Sequence, residues 1–301
     1  MSQEEKKRRE ARRLRFSQEP TNLDARYSLI SRDSQPHKNS GMTRLLDPQE
    51  QAQLLSQCTD TIDRIEASLP SQAWWTEEKS MMEQAQHTIP HLRKIREVQT
   101  AIRQDATAWT AQVYEASVRA CLLARDAREL HVSLTRLIHH IYPRMHRSMD
   151  KPCTTYCIRI ISYYLLYLTF YLHQPTQLIQ TYSLLPPYLQ TEPVIQRAWA
   201  LAKAARMDNW SSMASILPQC TPMERRTIQL GLSGWRSHTF TILQSAFFTL
   251  PVPYLANALA IHPTPKDPKH WISTLDLPSS QSLHQKQGEK DLIVTLRTRR
   301  S

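Results

Sequence analysis

Only 4 of the 301 residues are glycine. Folds that cradle phosphates or dinucleotides need glycine where backbone approaches the ligand or turns tightly, so this scarcity argues against nucleotide-dependent α/β enzymes. The chain also lacks a Gly-rich phosphate loop, a G-x-S-x-G elbow and an H-E-x-x-H pair. Long apolar runs are missing too. The most hydrophobic stretch, IRIISYYLLYLTFYL from Ile158 to Leu172, gives way to His173 and Gln174. That is short of the roughly 20 apolar residues of a membrane span, and its tyrosines would need partners in lipid. It reads as a buried core helix, and no membrane partner is expected. There are 5 cysteines, an odd number, and the charged first residues do not read as a secretory signal. Reduced thiols inside a cell are therefore expected.

Proline, by contrast, is frequent, with 19 residues. Many prolines with few glycines suit helices that start on Pro and are joined by short rigid turns. Hydrophobic residues make up 41% and charged residues 22%, enough to bury a core. The net charge of +11 and pI of about 9.6 call for an acidic partner, either nucleic acid or an acidic protein. Lys6, Lys7, Arg8, Arg9, Arg12, Arg13 and Arg15 crowd the first segment, EEKKRREARRLRF. It is either a solvated basic helix or a nuclear-import or nucleic-acid segment. Residues 17–46 are polar with few apolar anchors, so residues 1–46 read as a basic, mostly disordered lead-in.

From Asp47 the pattern becomes helical. Asp47-Pro48-Gln49-Glu50 resembles a capping box with Pro in the first turn. Leu55, Cys58, Ile62, Ile65 and Leu69 then recur on one helical face. Pro90 is expected to open the next helix, with the stripe Leu92, Ile95, Val98 and Ile102. Trp109, Val113, Ala116, Ala120 and Leu123 mark a third. Leu130, Leu134, Leu137 and Ile141 mark a fourth, expected to stop at Pro143. Further helices are predicted over 153–172 and 176–185, along Val194–Ala205, from Trp210, from a capping box at Thr221-Pro222-Met223-Glu224, and over 237–249. Consecutive antiparallel helices with short connections predict an all-α helical-repeat array over 47–250. After Pro251, VPYLANALAI and DPKHWISTL read as short helices and Leu292–Leu296 as a strand, so 251–301 is expected to be a small winged-helix-like module.

Candidate chemistry is thin. His87 and His91 are four apart, but Pro90 is expected to break the face that would align them. Cys153 and Cys157 could share a face, yet no second pair stands at metal spacing, so small core residues are the stronger reading. Glu115 and Arg119 are placed for an i,i+4 ion pair on one helix, worth a few tenths of a kcal/mol if exposed. No catalytic residue, metal site or cofactor is assigned.

The segment around Glu115 has a further property. Ile102-Arg103-Gln104-Asp105, Val113-Tyr114-Glu115, Arg119, Asp126, Leu134 and Ile141-Tyr142 follow one another, and Tyr156 and Arg159 open an aliphatic-tyrosine run. This order resembles the core signature of the Sac/GANP (leucine permease transcriptional regulator) family of PCI-like proteins. The similarity runs from about Arg93 to Ile261. A Cys-Pro-rich motif of the export-scaffold branch is absent, and the shorter Thp-type branch is the better likeness. The resemblance implies a TPR/PCI-like array ending in a winged helix. It also implies a non-catalytic nuclear scaffold subunit in transcription-coupled mRNA processing or export. Its partners would be a second PCI-domain protein, a small acidic Sem/DSS-type protein, and RNA or DNA. Lys266, Lys269, Lys286, Lys290, Arg297, Arg299 and Arg300 are the candidate nucleic-acid-binding residues. Ile102, Arg103, Gln104, Asp105, Tyr114, Glu115, Arg119, Tyr156 and Arg159 are the structural signature. A proteasome-lid or translation-initiation-factor type assembly subunit without nucleic-acid binding is the alternative.

Overall fold

A computed structural model of the chain describes residues 45–69, 79–101, 107–148, 155–251, 254–255, 258–259, 284–286 and 293–295. The described chain is predominantly α-helical. Helix α1, Pro48–Ser68, starts where Asp47 accepts from the Gln49 N–H and Pro48 fills the first turn. Its buried face carries Leu54, Leu55, Cys58, Ile62 and Ile65. Helix α2, Lys79–Ala101, and α3, Ala108–Ala124, follow, and α3 packs against both α1 and α2. Nearly every residue of α3 from Val113 to Ala124 is buried, so it is a central helix and not a one-sided amphipathic one.

Two prolines behave differently from expectation. Pro90 lies inside α2 and does not open it. It is exposed, and so is Gln86 four residues before, whose carbonyl Pro90 cannot satisfy, so the missing bond falls on the exposed face of α2. Pro143 likewise does not end a helix. Helix α4, Ala127–Arg136, passes into a π-turn over Leu137–Ile141 and then into α5, Tyr142–Ser148, which contains Pro143. The widened turn sits where the proline nitrogen has no hydrogen to donate back.

Helix α6, Thr155–Phe170, is the apolar segment. Tyr164, Leu165, Leu166, Tyr167, Leu168 and Phe170 are each at most 1% exposed, so the second half of the helix is enclosed by protein. It packs against α7, Pro175–Leu184, and, at longer range, against α9, Pro193–Arg206, and α11, Pro222–Gln229. No helix among the described residues is long and apolar enough to cross a membrane. The short helix α8, Pro187–Gln190, and α10, Trp210–Ile216, complete this layer. Asp208 takes a left-handed φ of 50° and Asn209 caps α10 through Ser212 N–H, as the turn-like Asp-Asn pair suggests. The capping box at Thr221 and Glu224 is present in full. Helix α12, Leu232–Ala246, then begins at Gly231, against the end of α6. A Cβ on Gly231 would come within 1.7 Å of the Phe170 carbonyl oxygen, so only glycine lets the two backbones approach this closely.

The last turn expected before Pro251 is instead a strand, β1 (Thr249–Pro251). It pairs antiparallel with β3, Ile293–Thr295, which also pairs with β2, His284–Lys286, in the order β1-β3-β2. The β3 strand falls within the predicted Leu292–Leu296. Phe240, Leu243, Leu250, Leu255, Ala258 and Leu259 are buried but lie outside the main hydrophobic cluster, which runs from Leu45 to Trp235. Phe240 and Leu243 belong to α12 and Leu250 to β1. Arg236, buried enough that its pKa falls to about 10, ties α12 to this module by donating to the Leu259 carbonyl at 2.9 Å.

Candidate functional site

The polar residues singled out by sequence are placed at helix-to-helix contacts. Glu115 and Arg119 do not form an exposed surface pair. Both are buried on α3 and each is bonded to another element. The Arg119 guanidinium reaches back to α1, with Nε donating to Glu66 at 2.7 Å and a terminal nitrogen donating to Asp63. Burial opposes its charge, but the bonds to Glu66 and Asp63 outweigh that and raise its pKa. Glu115 accepts from the Tyr142 hydroxyl at 2.8 Å, which ties α3 to the start of α5. Burial pushes the Glu115 carboxyl above its ordinary range, against the opposing pull of Tyr142 and Arg119, and burial beside Glu115 raises the Tyr142 phenol.

Tyr114 is held from the other side. The Arg96 guanidinium of α2 lies over its ring, 5.4 Å from the centroid. Arg96 also donates to Ser133 at 2.8 Å and to Glu129 at 2.7 Å, both on α4, while Arg93 meets the second Glu129 oxygen at 2.5 Å. Burial alone would raise the Glu129 pKa, but the two arginines hold it below the ordinary carboxylate range. A similar clamp joins α9 to α11, where Arg197 donates to both oxygens of the fully buried Glu224 at 3.0 and 3.1 Å. Glu129, Arg93, Arg96, Arg197 and their bonds were not picked out by sequence reasoning. The available signal was the capping position of Glu129 three residues after Asp126, which marks a helix start but not an arginine partner 33 or 36 residues upstream.

Several sequence-predicted residues are not brought together. Ile102, Arg103, Gln104 and Asp105 lie outside the described residues, as do Lys266, Lys269, Lys290, Arg297, Arg299 and Arg300. Lys286 ends β2 at the edge of the small sheet, and Tyr156 lies in the first turn of α6. Arg159 of α6 is exposed. Cys58, Cys121 and Cys220 are free and buried, and burial raises each thiol, Cys58 and Cys220 to about 12. None is poised as a thiolate nucleophile. Cys157 departs from the expectation of reduced thiols: it is disulfide-bonded, its partner lying outside the described residues. His87 and His91 share the unbroken helix α2, yet among the described residues no group of three His, Cys, Asp or Glu is placed to hold a metal.

A cavity lies elsewhere. A groove of about 1080 Å³ runs between the π-turn with α5, one face of α6, and α7 with α8. Its floor is a relay: Gln177 donates to the Tyr164 phenol at 2.8 Å, and that phenol is 2.9 Å from His139 Nε2. Burial, and the charge of His140, lower the His139 pKa, which favours the neutral ring. His173, at a left-handed φ of 52°, turns the chain from α6 into the mouth of the groove. No family model and no curated protein matches the chain.

Proposed function

We propose that this protein is a non-catalytic, nuclear PCI-type scaffold subunit. It pairs with a second PCI-domain protein, recruits a small acidic Sem/DSS-type protein and binds nucleic acid in transcription-coupled mRNA processing or export. The observation that carries the reading is the use made of Tyr114, Glu115 and Arg119. Their polar groups are spent on bonds between helices α1, α2, α3 and α5, which is the task of scaffold residues and not of a reaction centre. The packing of α3 between its chain neighbours α2 and α4 suits a repeat array. The buried residues outside the main cluster and the sheet after α12 suit a terminal winged helix. Phe247, Phe248 and Tyr254 remain 38–45% exposed there, an apolar patch of the kind that marks a protein partner. The net charge of +11 supports contact with phosphates.

Two measurements test this. Affinity purification followed by mass spectrometry is expected to recover a second PCI-domain protein and a small acidic protein. Binding of the full chain to RNA is expected to weaken steeply between 50 and 200 mM salt, by roughly 10³-fold or more if six or more phosphates are contacted. Recovery with a proteasome lid or a translation initiation factor, together with no RNA affinity, would establish the alternative assembly role.

A further inference from the structure

We infer that the groove between the π-turn, α6 and α7 is a binding site for one small, uncharged amphiphile: a molecule with an apolar body and a hydroxyl or carboxamide head. The inference goes beyond the scaffold reading and does not depend on it. The charge of the lining, the order of its polar and apolar groups, and its size carry it.

The lining contains no Asp, Glu, Lys or Arg among the described residues. Burial, and the charge of His140, also hold the lining residue His139 toward its neutral form. A carboxylate, phosphate or ammonium group placed here would shed water and meet no permanent counter-charge, which is strongly unfavourable. Neutral ligands carry no such cost.

The wall is ordered along its length. Tyr164 of α6 and Gln177 of α7 are bonded at 2.8 Å across the turn that joins the two helices, which sets their antiparallel register. Ile161 therefore stands level with Gln180, and Cys157 with Leu184, one and two helical turns farther from that turn. Gln174, Gln177 and His173 lie at the turn end, with His139 bonded to Tyr164 at 2.9 Å. Leu184, Leu185, Pro186 and Leu189 lie at the other end. Tyr142 lines the groove too, but its hydroxyl is spent on Glu115. One end is thus polar and the other apolar. At the polar end Tyr164 is fully buried and accepts from Gln177, so its own proton is directed to His139 Nε2. The neutral His139 then carries its hydrogen on Nδ1. Gln177 Oε1 and His139 Nδ1–H are left as an acceptor and a donor, the two functions that a hydroxyl or carboxamide head satisfies.

Size favours one molecule. The groove holds about 1080 Å³, at the top of the range of roughly 300–1,000 Å³ for sites that take a single small ligand. Apolar walls with a few convergent polar groups are the usual make-up of such sites. Helix α7 supplies a wall of 10 residues, about 15 Å long. Leu184, at the apolar end, is 83% exposed. An occupant that covers it removes apolar surface from water, the main source of affinity for a neutral ligand.

The test uses the full chain at neutral pH and Nile red, an uncharged dye whose fluorescence rises in apolar sites. One saturable site is expected. Decanol and decanamide are expected to displace the dye. Decanoate and decyltrimethylammonium, with the same chain and a charged head, are expected to compete about ten-fold more weakly or worse. Leu184→Asp, at an exposed position, is expected to weaken dye binding by about ten-fold or more with the melting temperature unchanged. Phe247→Asp, on the aromatic patch outside the groove, is expected to leave dye binding unchanged. Gln177→Leu is expected to weaken competition by decanol and decanamide about ten-fold while Nile red still binds. A neutral alkyl-diazirine alcohol is expected to label peptides containing residues 138–143 or 174–189, and this labelling decides where Gln177→Leu lowers the melt. Equal competition by decanoate, labelling outside these segments, or dye binding unmoved by Leu184→Asp overturns the inference. Absence of saturable dye binding also overturns it, and if Leu184→Asp then strips a protein from the purified chain, the groove is a protein-docking surface. The scaffold reading stands or falls on recovery of its own partners and is untouched by failure here.

Discussion

Replacing Glu129 by Gln keeps the shape of the side chain and removes its charge from between Arg93 and Arg96. Arg96 is only 6% exposed, and its two remaining contacts are Ser133 and the Tyr114 ring. A charge-assisted bond contributes about 1.5–3 kcal/mol, and breaking a buried pair costs about 3–5 kcal/mol because the other charge is left unpaired. Arg93 is 40% exposed, so its bond is screened by water and adds little. The expected loss is therefore about 3 kcal/mol, nearly all from Arg96. For a chain of this size that lowers the melting temperature by about 6–12 °C, measurable by calorimetry or circular dichroism. The pH dependence gives an independent check. The folded pKa of Glu129 is depressed, so its contribution is present above the ordinary carboxylate value of about 4.3 and is lost as pH falls through the lower folded value. The gap between the unaltered chain and Glu129→Gln should accordingly close in acid. A loss under about 1 kcal/mol, or a gap that stays constant down to pH 3, would refute the claim that this carboxylate clamps α2 to α4.

Glu115 carries the opposite sign. Its folded pKa is raised, so its contribution is full below about 4.3 and is lost as pH rises through the folded value. Glu115→Gln, which keeps an acceptor for Tyr142, should gain stability relative to the unaltered chain as pH rises from 4 to 7, as read from paired melts; a constant difference would count against it. Gly231→Ala should be severely destabilising, by about 3 kcal/mol or more, because the new Cβ meets Phe170 backbone and not a movable side chain. A normally soluble variant with an unchanged melt would show that the α6–α12 approach is looser than described. Gln99 is 1% exposed and neither its carboxamide oxygen nor its nitrogen has a partner among the described residues. Gln99→Leu should be neutral or stabilising by about 1 kcal/mol in chemical denaturation, and a clear loss would reveal a bond to the amide.

The helices α1, α3, α6, α9 and α11 were legible because apolar spacing and capping residues are local properties. Asp47, Asn209 and Thr221 act within three residues of themselves. The prolines misled. Whether Pro90 breaks a helix depends on which way the Gln86 carbonyl faces, and that is settled by the packing of the opposite face. The strand at Thr249–Pro251 was not foreseen, and its first residue was read as the end of a helix over 237–249, because three residues carry no periodicity of their own. Its pairing with Ile293–Thr295 is a contact across more than 40 residues.

The same division holds for the candidate sites. By itself the sequence determined the helical class, the positive charge and the buried middle of Ile158–Leu172, and it singled out Tyr114, Glu115 and Arg119. Composition and periodicity are summed along the chain, and for these features that sum suffices. Only the tertiary structure decided what those three residues do, and which glutamines and histidines share a groove. A buried guanidinium takes its energy from whichever carboxylate is folded against it, and Asp63 and Glu66 are more than 50 residues away from Arg119. Interactions of that range leave no periodic mark on a single sequence.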